Sequence, residues 1–320
     1  MDKATRYSAP AKLILCGEHA VVYRRPAIAL PLASVRATAT ITPGHRGSGI
    51  VIEAPDLGRT WTLASRPDDP LSGLVRSLLA HIGAAEPDIA LRLASQIPIA
   101  SGMGSGAAIA TALVRAISSY LGHPLEPATI ASLVYASEQR YHGTPSGIDN
   151  TVVAYEQAIW FVRGQSTPHA PAPAPLIERL TISRPFTLIV GDTGIRSATR
   201  LPVGEVRRRW QANPTSYEAI FDQVAEVSTM VRACLANGTI EPLGSLLNHN
   251  QALLEALGVS SPELERLIAA ARSAGALGAK LSGAGWGGVM VALVNAERHE
   301  AVARALSAAG AVRVLETRVG

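Results

Sequence analysis

Aromatic side chains are scarce, at 4% of 320 residues with only three Phe, so any core must be built from Ala, Leu, Val and Ile. Cysteine is scarcer still. Cys16 and Cys234 lie far apart in the chain, which excludes a disulfide framework and a cysteine-rich metal site. Cys16 stands in an apolar run, where a buried free thiol is expected. No segment holds the roughly 20 apolar residues of a membrane-spanning helix. The first residues, Met1-Asp2-Lys3-Ala4-Thr5-Arg6, lack the apolar stretch of a signal peptide. The expectation is a soluble cytoplasmic protein that meets no membrane. Charge is sparse as well, at 17% of residues with a formal net charge of +4. That balance is too small, and the basic residues too scattered, to suggest nucleic acid. The densest cluster, Arg207-Arg208-Arg209 beside Glu205 and Trp210, reads as a solvated helix face in preference to a polyanion site. What the chain does have is a globular composition, 48% hydrophobic, and length for one large domain or two ordinary ones.

Along the chain, Lys12 to Cys16 is a short apolar run between Pro10 and Gly17 and predicts a strand. Apolar runs between Ala27 and Thr42 predict further strands, with a turn at 44–49. Leu71, Leu74, Val75, Leu78 and Leu79 recur at helical spacing over 71–83. Ile89 to Leu93 reads as a strand that runs through Pro98 into Ala100-Ser101-Gly102-Met103-Gly104-Ser105-Gly106. A buried helix is expected from Ala107 to Leu121, and another over 127–141 that Gly143 and Pro145 terminate. Thr167 to Pro175 is rich in Pro and Ala and cannot form regular hydrogen-bonded structure. Beyond it, Thr187 to Val190 predicts a strand. The remainder reads as helical down to Ser282-Gly283-Ala284-Gly285-Trp286-Gly287-Gly288, and the strand Val289 to Val294 follows. Strands and helices without regular alternation give an α+β or α/β class.

Four segments carry candidate chemistry. The loop at 101–106 leads into a helix. Small residues let a ligand approach the backbone, and unpaired N–H groups with the helix dipole favour an anion such as phosphate. No Gly-Lys-Ser/Thr follows, so this is not the Walker pattern, and a tight strand-to-helix turn is the other reading. The second segment, Glu138 to Asn150, ends a helix and presents two acids and a serine. Glu138 is a candidate Mg²⁺ ligand. Asp149 is a candidate acceptor of a hydroxyl proton or, with Asn150, the cap of the next element. His142 reads as structural. In the third segment, Lys12 could neutralise phosphate, and Glu18 and His19 could bind a polar substrate. Surface charge at a strand end is the alternative. The fourth, 282–288, could buttress the phosphate loop, contact phosphate, or simply turn the chain.

Taken in order, these segments resemble the motifs of the galactokinase–homoserine kinase–mevalonate kinase–phosphomevalonate kinase (GHMP) superfamily, and most of all the mevalonate kinases. Pro10-Ala11-Lys12-Leu13-Ile14-Leu15-Cys16-Gly17-Glu18-His19-Ala20-Val21-Val22-Tyr23 resembles the first motif. Pro98 through Ala108 resembles the second, the ATP-phosphate motif, and Lys280 through Gly288 the third. His142 through Asn150 is similar to the segment that carries the catalytic aspartate. Asp192-Thr193-Gly194, with Ser197 and Thr199, is similar to the substrate-side segment. The resemblance implies a two-domain α+β fold: a ribosomal-protein-S5-like domain over 1–185 and a ferredoxin-like domain over 186–320, with the site between them.

The resemblance also implies roles. Asp149 would be the catalytic base or hydroxyl-orienting group, and Lys12 would lower the hydroxyl's pKa and stabilise transferred charge. Gly102, Gly104 and Gly106 would cradle the ATP phosphates, within a binding segment that includes Pro98, Ser101, Met103, Ser105 and Ala107. Ser105 and Glu138 would ligate Mg²⁺. Glu18, His19, Ser146 and Thr193 would line the mevalonate pocket. The implied reaction is transfer of the ATP γ-phosphoryl to the 5-hydroxyl of mevalonate. Three positions depart from the family pattern. Arg24 follows Tyr23 where glycine is usual, Gly106 replaces a commoner serine, and Trp286 replaces a commoner glycine, which should restrict the third loop. Competing expectations are another small-alcohol kinase of the superfamily (homoserine, sugar or the mevalonate 3-hydroxyl), a mevalonate-pathway decarboxylase, and a non-catalytic sensor of ATP and metabolite. Glu138, Ser105 and Asp149 all stand, against the sensor. A homodimer is left open.

Overall fold

The computed structural model describes residues 5–142, 146–164 and 174–320. Gly143, Thr144 and Pro145, and most of the Pro/Ala-rich 167–175 stretch, lie outside the described residues. Contacts divide the chain into two compact units that interleave in sequence. One holds the chain through Ala11 with Val35–Pro98 and Gly104–Glu156. The other holds Lys12–Ser34, Ile99–Met103 and Gln157–Gly320. Segments 12–34, 99–103 and 157–185 thus cluster with the C-terminal part of the chain.

The first unit takes the start of β1 (Thr5–Cys16) and the latter part of β2 (Ala27–Pro43). To these it adds β3 (Ile50–Ala54), β4 (Arg59–Thr62), α1 (Pro70–Ile82), β5 (Ile89–Ser95), α2 (Ser105–Tyr120), α3 (Pro127–His142) and α4 (Ile148–Tyr155). Its strands run in the order β4-β3-β5-β2, with β1 also paired to β2. β3 lies parallel to β5, and β2 antiparallel to it. Val35, Ala37, Ala39 and Ile41 alternate into the core, the period of a sheet packed on one face. The region expected as several strands is one long β2. Pro31, which has no N–H to give, falls between the stretch paired with β6 (Ile159–Val162) and the stretch paired with β5.

Helix boundaries follow local chemistry. Asp69 caps α1 by accepting from Leu71 N at 3.0 Å, Pro70 opens it, and Gly83 closes it in the left-handed conformation. In α2 the buried face is Ala107, Ala108, Ala112, Leu113, Val114, Ala116 and Ile117. Each of Leu113, Val114 and Ile117 contributes roughly 1.5–3 kcal/mol by leaving water. α4 lies where the sequence predicts a loop. Asp and Asn at its start read as turn residues, whereas Gly147 takes the N-cap position.

The second unit contains β6, β7 (Leu176–Arg179), β8 (Phe186–Asp192), α5 (Arg200–Ala212), α6 (Pro214–Asn237), α7 (Ile240–Ala256), α8 (Pro262–Ser273), β9 (Gly278–Ser282), β10 (Val289–Val294), α9 (His299–Ala308) and β11 (Arg313–Val319). Four of these strands form an antiparallel sheet in the order β11-β8-β10-β9. β10 is buried along its whole length. β9 interrupts the stretch expected to be helical. Its outward N–H groups find side chains of α7 instead of another strand: Asn248 Oδ1 accepts from Ala279 N at 3.0 Å, and Gln251 Oε1 from Leu281 N at 2.9 Å. A sheet edge is thereby covered. The Arg207–Arg209 cluster lies on α5, where Arg208 and Arg209 both bond Glu205. Both cysteines are buried and free. Among the described residues no helix is long and apolar enough to cross a membrane.

Candidate active site

In the first unit the loop-to-helix turn leaves α2 with an exposed polar start. Gly104 occupies the N-cap at φ 75°, makes no side-chain cap, and no acid stands in the first turn. The helix dipole therefore meets no negative charge from its own first turn. A Cβ built on Gly106 would meet nothing within 4 Å, so there is room against the backbone where a commoner serine would put its hydroxyl. Ser105 is half-buried, and its hydroxyl donates to Ile97 O at 3.4 Å. Glu138 is half-buried in the penultimate turn of α3, and Asp149 half-buried in the first turn of α4. α2, α3 and α4 all pack on one another.

Asn150 is buried, and its Nδ2 donates to Ala131 O of α3 at 2.8 Å, which ties α4 to α3. Asp149 stands beside it in the first turn of α4. Ser146 Oγ accepts from Ile148 N at 3.4 Å, and Thr151 donates to Gly147 O at 2.7 Å.

In the second unit the three motif segments form one hydrogen-bonded block. Lys12 is 4% exposed, and its backbone N donates to Met103 O at 3.0 Å, which ties β1 to the 99–103 segment. Ser101 and Met103 are buried. The glycine-rich 282–288 segment lies against them: a Cβ on Gly288 would stand 2.9 Å from Ser101 O, and one on Gly283 3.6 Å from Gly102 O. Both glycines have positive φ, where a side chain would be strained. Of the openings given for 282–288, buttressing of the 99–103 segment is the one seen within this unit.

Glu18, His19 and Thr193 join the same block. His19 is 5% exposed and donates through Nε2 to Ala284 O at 2.9 Å. Burial pushes its imidazole down to about 4, and the bond to Ala284 opposes this only in part. The ring is neutral at pH 7, and since a carbonyl only accepts, Nε2 carries the proton and Nδ1 a lone pair. Glu18 is buried and bonded to Lys280 and Asn250. Burial, then the Glu18 charge, pushes the Cys16 thiol up to about 12, which makes it inert. Thr193 donates its hydroxyl to Gly288 O at 2.8 Å and accepts from Ile195 N at 3.2 Å. Asp192 beside it is held by Arg196 through two bonds of 2.8 and 3.0 Å.

Backbone strain gathers here too. Non-glycine residues with positive φ include His19, Ala100 and Trp286, one in each motif segment, and Arg24 just past the first. Such residues persist only where the surroundings hold them.

Sequence reasoning gave no role to Lys280 or Asn250. The signal for Lys280 was a lone charge in an otherwise apolar strand; Asn250 gave none. Among the described residues no group of three His, Cys, Asp or Glu side chains could hold a metal. One hydroxyl and one carboxylate, Ser105 and Glu138, are a donor set that suits Mg²⁺, which keeps waters and phosphate oxygens as its other ligands.

Comparison with known proteins adds the family. The model for the GHMP kinases N terminal domain matches residues 71–157, and that for GHMP kinases C terminal matches 230–312. The mevalonate kinase of Pyrococcus horikoshii is 35% identical, covering 100% of this chain and 96% of its own. The crystal structure of L. major mevalonate kinase in complex with R-mevalonate superposes with a TM-score of 0.81 at 28% identity, over 98% of this chain and 95% of that one. A Streptococcus pneumoniae phosphomevalonate kinase reaches a TM-score of 0.82 at 16% identity, over 98% and 99% of the two chains. The second of these structures, at 16% identity, shares the fold.

Proposed function

Since this chain belongs to the GHMP kinases, within the mevalonate kinase family, we propose that it transfers the γ-phosphoryl group of ATP to the 5-hydroxyl of mevalonate, giving 5-phosphomevalonate. The observation that carries phosphoryl transfer is the start of α2, with Gly104 at its N-cap, no acid in its first turn and room against the backbone at Gly106. There Gly102, Gly104 and Gly106, in the segment from Pro98 through Ser101 and Met103 to Ala107, hold the phosphates by backbone N–H groups. The full-length match to mevalonate kinases carries the choice of alcohol.

Phosphoryl transfer needs alignment and charge neutralisation more than covalent chemistry. Asp149 aligns the hydroxyl and takes its proton late, once the oxygen has become acidic. Lys12, an ammonium on a buried strand, stabilises the charge that moves. His19, Ser146 and Thr193 line the mevalonate pocket. Each has limited freedom: Thr193 has already given its proton to Gly288, and His19 offers a lone pair at Nδ1. Ser105 and Glu138 would hold Mg²⁺, which supplies neutralisation of the phosphate charge. The reading places the reaction in the cytoplasm, where two free thiols stay reduced.

Purified protein with MgATP and a panel of alcohols tests this. Product NMR should show 5-phosphomevalonate. Phosphate on the 3-hydroxyl, or turnover of homoserine or galactose without mevalonate, would overturn it.

A further inference from the structure

Glu18 and Lys280 form an ion pair with both side chains out of solvent, 1% and 0% exposed. Burying two charges costs more than their attraction returns unless further hydrogen bonds satisfy them. Here they are satisfied. Lys280 Nζ donates to Glu18 Oε1 and to Leu281 O, Asn250 Nδ2 donates to Glu18 Oε2 at 3.2 Å, and the Cys16 thiol donates to Asn250 Oδ1 at 3.2 Å. Both oxygens of Glu18 are thus engaged by protein groups.

The position of the pair is informative. It stands beside two other ties between the same two segments: Ser282 Oγ with the backbone of Ile14, and His19 Nε2 with Ala284 O. The residue after Glu18, His19, has φ 59° and ψ −49°, a conformation that non-glycine residues adopt only when held. The residues after Lys280 are the glycine-rich 282–288 segment, whose positive-φ positions let its backbone take several paths and which is anchored on its other side by Trp286 Nε1 donating to Gly258 O at 3.0 Å.

We infer that Glu18 and Lys280 are positioning residues: the pair locks strained His19 and the 282–288 segment to one another, and the Glu18 carboxylate does not meet the alcohol. The inference rests on the kinase reading above and assigns these two residues within it. A neutral or apolar core would have held the same strands together. A charge-assisted bond adds a fixed direction and length between two loops that must agree in position.

A double-mutant cycle of Glu18→Gln, Lys280→Met and the pair together tests this, with kcat, both KM values, thermal midpoint, and hydrogen exchange of peptides covering 278–289. Each single variant should lose about 10–100-fold in kcat, the scale for small misplacement of reacting groups. Alcohol KM should move less than about threefold, and exchange at 283–288 should rise. The double variant should be no worse than either single one, because the tie can be lost only once. Should a single variant fail to fold, the double variant decides, since a neutral isosteric pair is tolerated in a core. Wild-type kcat and exchange in the double variant would mean the pair is merely structural. A raised alcohol KM with wild-type exchange, multiplying across the cycle, would mean Glu18 touches substrate. The exchange readout stands even if wild type prefers another alcohol, so failure of the pair and failure of the mevalonate reading remain distinguishable.

Discussion

Ser282 and Ile14, 268 residues apart, are joined twice: Ser282 Oγ accepts from Ile14 N at 2.9 Å and donates to Ile14 O at 3.0 Å. One hydroxyl does for β1 what a neighbouring strand would do. Both sites are buried, so water cannot replace it. Ser282→Ala should leave a buried donor and a buried acceptor unpaired, at about 1–3 kcal/mol for each such group. Urea unfolding of the variant should show a loss of about 2–4 kcal/mol at unchanged m-value; a loss under about 0.5 kcal/mol would mean that the strand has another partner.

His19 makes stability depend on pH. Its folded pKa, about 4, lies below the unfolded value near 6.5. Between those values the unfolded chain binds the proton and the folded one does not, so stability rises with pH across this window. The contribution is fully present above about pH 6.5 and is lost as pH falls toward 4, with a total on the order of 3 kcal/mol. His19→Gln keeps a donor near Ala284 O and removes the titration. The difference in unfolding free energy between wild type and this variant should therefore slope between pH 4 and 6.5 and be flat above. A flat difference throughout would place a charged imidazole in the fold.

Much of this was legible in the sequence, and the residues show why. α1, α2, α3 and β10 announce themselves by apolar period and by glycine or proline at their ends. β9 did not, because Gly278-Ala279-Lys280-Leu281-Ser282 carries a charge and three small residues. It pairs with β10 on one side, and Asn248 and Gln251, about thirty residues earlier, satisfy its other edge. α4 is short and starts in turn residues. Lys12, Glu18, His19 and the glycine segments were visible as motifs, whereas the link from Glu18 to Lys280 spans 262 residues and no local pattern encodes it.

Trp286 stands at φ 56° where a glycine would be relaxed, and it pins its loop by donating from Nε1 to Gly258 O at 3.0 Å. The expected restriction of the third loop thus has a named anchor. The left-handed conformation costs a non-glycine residue roughly 1–2 kcal/mol. Trp286→Ala keeps that cost and loses the anchor; Trp286→Gly loses both. The Gly variant should be more stable than the Ala variant by about 1 kcal/mol in thermal or urea unfolding. Equal stability, or the reverse order, would show that the backbone cost is small here.

Glu138 is proposed as the carboxylate ligand of Mg²⁺. An amide is a far weaker ligand for this hard cation, so Glu138→Gln should raise the magnesium concentration needed for half-maximal rate by about tenfold or more. Mevalonate affinity should stay near wild type. An unchanged magnesium titration would remove Glu138 from the metal site.

Asp149 and its neighbour Asn150 offer the sharpest contrast, because adjacent residues carry different kinds of consequence. Asn150 is buried and ties α4 to α3 through Ala131 O. Asn150→Ala should cost about 1–3 kcal/mol of stability and leave turnover of the folded fraction close to wild type. Asp149 is half-buried in the first turn of α4. Asp149→Asn keeps the side chain's shape and removes the charge and the proton acceptor. Turnover should fall by roughly two to four orders of magnitude, the range for a positioned acid–base group. Nucleotide affinity should hold, because the phosphates rest on the start of α2. Thermal midpoint should change little. Measuring midpoint, nucleotide affinity and turnover on both variants gives two crossed patterns, one in stability and one in rate. If Asp149→Asn instead behaves like Asn150→Ala, losing stability and keeping turnover, then the aspartate is part of the scaffold and another group must receive the proton.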